Sequence, residues 1–167
     1  MDEKRQDSRE GEAGTGDYIG SWGPGTERQR ERLRNMPRVI KPANRPPVNP
    51  DRPWRMPVIE PTNTPAQIMR LWIEQIPSAG ASHKHGHQNE AMFYILEGRG
   101  YEVHDGVRYE WQAGDVVVVM GGCVHQHFNA DPTRPATALV INPKALYGLA
   151  NLLTQEEIST PGSEEKK

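Results

Sequence analysis

The chain has a single cysteine, Cys123, only two phenylalanines, and no apolar run near the roughly 18 residues that a membrane helix needs. One thiol excludes an internal disulfide and gives no reason to expect an oxidising compartment, so Cys123 reads as a small buried hydrophobe. Residues 1–17 (MDEKRQDSREGEAGTGD) hold almost no large apolar side chain, so they form no signal peptide. The expectation is a cytoplasmic protein without a membrane association. A net charge of −2 supplies no basic footprint, which argues against nucleic-acid binding.

Mean hydropathy is −0.79, and the polarity is unevenly spread. Residues 1–17 cannot bury enough apolar surface to offset ordering entropy and are expected to be disordered. Residues 18–65 carry Pro37, Pro42, Pro46, Pro47, Pro50, Pro53 and Pro57 among a few anchors, Tyr18, Trp22, Ile40 and Trp54. That proline density excludes a long helix and predicts an extended arm, interrupted by one short helix over Thr26–Arg34 with Thr26 as its N-cap.

From residue 66 the texture changes to short apolar runs separated by turn residues. Strands are expected over Ala66–Ile76, Ala91–Leu96, Tyr101–His104, Val107–Trp111, Val116–Met120, Val124–Phe128 and Thr137–Ile141. Asp105-Gly106 between two of them is a strong hairpin signal. Many short strands without intervening helices define an all-β domain over 66–142, an antiparallel sandwich or barrel. Leucines at helical spacing over 143–158 predict a carboxy-terminal amphipathic helix packed on the barrel, followed by a disordered tail, 159–167. On the first strand the apolar Met69, Leu71 and Ile73 are the expected core face; the other face carries Arg70, Trp72 and Glu74, and Arg70 turned inward could grip a substrate carboxylate.

Five of the six histidines fall in two clusters, His83, His85 and His87, then His125 and His127. Alternate residues on a strand share a face, so each cluster aims imidazoles into one space. Neutral imidazole binds first-row transition metals, and two or three histidines with an optional carboxylate leave coordination positions open. Open positions are what a catalytic metal site requires. His104, beside the hairpin turn, reads as solvated. Phe93 reads as core or pocket wall, and Trp111 as packing near the barrel's base.

The segment Gly114-Asp115 through Met120-Gly121-Gly122, His125 and Asn129 resembles the second motif of the cupin family, with Met120 where the family has proline. The first histidine cluster, ahead of Tyr94-Ile95-Leu96-Glu97-Gly98, resembles the first cupin motif. Counting back from Gly98 favours His85 and His87 as its histidine pair; His83 with His85 is the alternative register. The family's metal-binding Glu position is held by Ala91, and Glu90 lies one residue earlier.

This resemblance covers about residues 66–142 and implies a double-stranded β-helix, or jelly-roll, barrel holding one divalent metal. It implies His85, His87 and His125 as ligands, with Glu90 if the chain turns it inward and a three-histidine site if not. His127 is then an outer-shell donor or general base, and Asn129 a structural hydrogen-bonding residue. The features over Gly98–Trp111 and the three-histidine option resemble the gentisate-type ring-cleaving dioxygenases. The expectation is an Fe(II)-dependent dioxygenase cleaving an aromatic or dicarbonyl compound with O2, with Zn, Mn or Ni as other metals. Two rivals remain open: a non-oxidative metal-dependent isomerase, lyase or decarboxylase, and a non-catalytic small-molecule-binding cupin. A homodimer is expected, with the arm free to cross between subunits.

Overall fold

The structure is a computed structural model in which residues 24–46 and 54–159 are described. The disorder expected for residues 1–17 and for the tail beyond Ser159 lies outside the described residues, as do the anchors Tyr18 and Trp22. The chain divides into two units, Met1–Met36 and Pro37–Lys167. In the first, α1 spans Pro24–Asn35. It starts two residues before the expected point, because proline at the first helical position has its φ preset and lacks only a donor that would be unpaired anyway. Thr26 is therefore inside the first turn and not the N-cap. Glu27 in that turn lies 3.4 Å from Arg30 and 3.5 Å from Arg34, a set of solvated ion pairs.

The second unit opens with a 3-10 turn over Pro42–Asn44 and then builds two five-stranded antiparallel sheets. The strands are β1 (Arg55–Ile59), β2 (Arg70–Ile76), β3 (Lys84–His87), β4 (Ala91–Glu97), β5 (Arg99–His104), β6 (Val107–Gln112), β7 (Val116–Val119), β8 (Val124–Asn129), β9 (Ala136–Asn142) and β10 (Gln155–Ser159). One sheet runs β1-β2-β9-β4-β7 and the other β10-β3-β8-β5-β6, which is a jelly-roll barrel. Among the described residues no helix is long and apolar enough to cross a membrane.

The β5–β6 hairpin turns at Asp105 and Gly106, with φ of 49° and 85°, the left-handed pair that a two-residue turn needs. Asp105 also accepts a hydrogen bond from Val124 N–H at 2.9 Å, tying the turn to β8.

Three expectations need correction. The expected strand Ala66–Ile76 begins only at Arg70, and the arm supplies β1, whose Pro57 is tolerated because β1 is a sheet edge. The carboxy-terminal helix is six residues, α2 (Lys144–Leu149); residues 155–159 instead form β10 on β3, and α2 buries no residue. The leucines that predicted a longer packed helix, Leu146, Leu149, Leu152 and Leu153, are all exposed.

The third correction concerns β2, which turns Trp72, Glu74 and Ile76 inward and leaves Leu71 and Ile73 on the outer face. Burial of Glu74 is offset at Oε2, which receives Trp72 Nε1–H at 2.9 Å and Arg55 Nη2–H at 3.1 Å, while Oε1 is buried without a hydrogen-bond partner. Arg55 in turn stacks over Trp54 and Trp72, each 4.8 Å from the ring centre. The remaining core is Ile76, Ala91, Phe93, Ile95, Trp111, Val119, Cys123, Ala136, Ala138 and Val140. Cys123 is buried, as its sequence context implied. Each large side chain in this set contributes about 1.5–3 kcal/mol by burial.

Candidate metal centre

β3 and β8 are adjacent and antiparallel, with His85 directly opposite His125. The end of β3 is drawn onto the turn before β8 by Gly122 N–H, which donates to the His87 carbonyl at 2.8 Å. Gly121 makes that approach possible, since a Cβ there would sit 2.4 Å from the Gln88 carbonyl oxygen. As a result one ring nitrogen each from His85, His87 and His125 lies within 4.8 Å of the other two.

The other nitrogen of each ring is occupied. Nδ1 of His85 is 2.8 Å from the His83 carbonyl, Nδ1 of His87 is 2.7 Å from the Asn89 carbonyl, and Nδ1 of His125 is 3.2 Å from the Cys123 carbonyl. A carbonyl only accepts, so each Nδ1 carries the proton and each Nε2 presents a lone pair. His125 Nε2 is buried without a hydrogen-bond partner. An orphaned acceptor beside two others is a donor set that fits a metal ion.

Electrostatics hold these rings neutral. Burial, then the charge of His127 in its protonated form, lowers the pKa of His85 to about 4 and that of His125 to about 2. Burial also lowers His87, against the favourable Asn89 carbonyl. Neutral imidazole is the ligating form, so no proton has to be expelled near pH 7.

His127 shares the interior but differs in environment. Its Nδ1 pairs with the carboxylate of Glu102, its direct cross-strand partner on β5, and Glu102 also accepts from Trp111 Nε1 at 3.1 Å. Burial opposes charging His127, but the adjacent Glu102 carboxylate outweighs it and raises its pKa; burial likewise opposes ionised Glu102, and His127 with His104 overcomes that and lowers it. Phe93 packs 4.5 Å from the His127 ring. The His127 ring lies 5.3 Å from His125 and 5.9 Å from His85, centre to centre.

Several sequence candidates lie elsewhere. Glu90 is exposed, outside the three-histidine group, and its carboxylate is 3.4 Å from Tyr147 Oη. His83 lies outside the group as well and contributes its backbone carbonyl to His85. Arg70 lines the mouth, but Glu60 holds it in a bidentate pair at 2.7 and 2.8 Å. Asn129 donates to the carbonyls of Ile76, Pro77 and Arg134, and so anchors the end of β8.

His104 is not solvated: it sits opposite His125 on β5, and its Nε2 is buried 3.7 Å from Glu102. Sequence reading passed over Glu102 altogether. Its only signal was a carboxylate at the same strand parity as His104, a residue read as exposed.

The cavity over the histidines is about 70 Å³, enough for an ion and a few waters. Arg55, Arg70, Lys144 and Gln155 surround its mouth. A wider depression of about 650 Å³ lies along β6 and β7, but among the described residues no three metal-ligating atoms converge there.

Residues 72–142 match the family model described as a cupin domain. This segment is a cupin domain. Solved structures share its fold at low identity. A salicylate 1,2-dioxygenase from Pseudaminobacter salicylatoxidans superposes with a TM-score of 0.58 at 19% identity, covering 72% of this chain and 34% of that one. A mutant of that dioxygenase in complex with gentisate gives 0.55 at 12% identity, over 62% and 28% of the two chains. A cupin-like protein from Thermotoga maritima gives 0.54 at 18% identity, over 64% and 76%. The chain thus spans about a third of the dioxygenase chains. No curated protein matches the sequence.

Proposed function

We propose that this cupin domain binds one divalent metal, Fe(II), through Nε2 of His85, His87 and His125, and is a dioxygenase cleaving a small aromatic or dicarbonyl substrate. The observation that carries this reading is the convergence of three neutral, carbonyl-oriented imidazoles with no carboxylate among them. Three neutral ligands on one side leave open positions and an undiminished double positive charge, which favours an anionic, chelating substrate. Held there, Fe(II) would supply open positions for the substrate and O2 and a route for electrons between them.

The chain's own residues perform the remaining tasks. Phe93 and Ala91 wall the small cavity and limit water. Lys144 beside the cavity offers a positive charge to an incoming anion, whereas Arg70 and Arg55 are already paired with Glu60 and Glu74. His127, held by Glu102, is placed to give or take a proton at Nε2. That dyad also favours a second reading, a non-oxidative isomerase or lyase in which His127 is the base.

Protein purified without added metal, analysed for metals and then assayed with an oxygen electrode over catechols, hydroxybenzoates and β-diketones, separates the two. Iron near one per chain with substrate-dependent O2 uptake supports the dioxygenase. Zinc, nickel or manganese without uptake defeats it and leaves the proton-transfer enzyme.

A further inference from the structure

The turn between β3 and β4 brings one more polar group to the histidine cavity. Asn89 is 1% exposed and forms part of the cavity wall beside His87, His125 and Ala91. Its backbone is held by the site itself, because the Asn89 carbonyl takes Nδ1 of His87 at 2.7 Å. Its side-chain amide is oriented as well. Nδ2–H donates to the Glu90 carbonyl at 2.8 Å, and since a carbonyl only accepts, the other end of the amide is the oxygen. That Oδ1 is buried without a hydrogen-bond partner.

Other polar groups of the wall are paired. Arg70 holds Glu60, Arg55 holds Glu74, Asn142 Oδ1 accepts from Lys144 N–H at 3.2 Å, and Gln155 Oε1 accepts from Lys144 Nζ at 2.5 Å. Among the described residues, two acceptors of this wall are buried with no partner, His125 Nε2 and Asn89 Oδ1. A metal ion accounts for the first and not for the second. Buried acceptors in native proteins are nearly always satisfied, so an orphan facing a ligand cavity points to a donor on the ligand.

We propose that Asn89 is a specificity-determining residue whose Oδ1 accepts a hydrogen bond from an O–H or N–H that the substrate carries beside the oxygens it offers to the metal. The inference rests on the metal-dependent reading above and narrows its substrate to chelators that bear such a donor. The two orphans make opposite demands. The three histidines place a cation against the ligand's electron-rich oxygens, whereas a neutral amide oxygen repels those oxygens and attracts a polarised hydrogen. A β-diketone bound as its enolate has no O–H or N–H left, so it would leave Oδ1 buried and unpaired.

Calorimetric titration of the full chain loaded with redox-silent Zn(II) tests this without turnover. The probes are acetohydroxamate and N-methylacetohydroxamate, which chelate through the same two oxygens; only the first keeps an N–H beside them. Relative to their affinities for the free ion, wild type should favour acetohydroxamate by at least about tenfold. Asn89→Leu, similar in shape but without the acceptor, should keep its metal and bring the ratio near one. Equal binding by wild type overturns the proposal, and that comparison needs no variant to fold. A metal-loaded Asn89→Leu that keeps the full preference also overturns it, since the bulk of the methyl group would then be the cause. A chain that takes up no metal defeats the metal centre and this inference together. The preference in wild type, lost in Asn89→Leu, without O2 uptake by the iron-loaded chain would support the role of Asn89 and defeat the dioxygenase, so the two fail separately.

Discussion

Glu102 and His127 face each other across β5 and β8 as direct strand neighbours, both almost fully buried and paired through His127 Nδ1. A buried charged pair is worth little in net stability, but removing one partner strands the other. His127→Ala should therefore cost about 3–5 kcal/mol in chemical denaturation, because Glu102 keeps only Trp111 and the more distant His104. Adding Glu102→Gln should recover part of that loss. Strict additivity in the double-mutant cycle would mean that the two residues do not act as a pair.

Metal retention reads out the ligand set. His85→Ala, His87→Ala and His125→Ala should each abolish stoichiometric metal after dialysis. His83→Ala and Glu90→Gln should retain it, because the first residue contributes a backbone carbonyl and the second faces solvent. Metal lost from Glu90→Gln would place a carboxylate in the site.

The pH dependence of the metal-free protein follows from the shifts. For His85 and His125 the folded pKa, about 4 and about 2, lies below the unfolded value near 6.5. Protonation then favours the unfolded chain, so stability is fully present above pH 6.5 and declines as pH falls toward 4. His127 has the opposite sign: its raised pKa gives a contribution that is present below pH 6.5 and lost as pH rises through the folded value. Denaturation midpoints should pass through a maximum near neutrality. Saturation with metal should flatten the acid side down to the pH at which metal is released, whereas an unchanged acid limb would contradict ligation by these rings.

Gly121→Ala tests how β3 is positioned. The new Cβ would meet the Gln88 carbonyl at 2.4 Å, forcing the His87 segment away from β8. A cost of about 1–3 kcal/mol is expected, with metal affinity falling in parallel. Normal affinity would show that His87 is held by other contacts.

Local patterns carried most of the architecture into the sequence. Six strands from Ala91 onward stand within a few residues of their expected bounds, since alternation and glycine turns act over neighbouring residues. β3 and β10 escaped because a four-residue histidine strand and an acidic carboxy-terminal strand carry little apolar signal. On β2 the pattern misled: Trp72 and Arg55 both donate to Glu74 Oε2 inside the barrel, so the polar face is the buried one.

Sequence alone determined that the histidines would share strand faces, because side-chain alternation is a property of the backbone. It also left Glu90 and His83 open as ligands, and only the tertiary structure separates them from His85, His87 and His125. That His85 lies across from His125, and Glu102 across from His127, depends on the pairing of β3 and β5 with β8, strands up to some forty residues apart. Those contacts exist only once the three strands have paired side by side in one sheet.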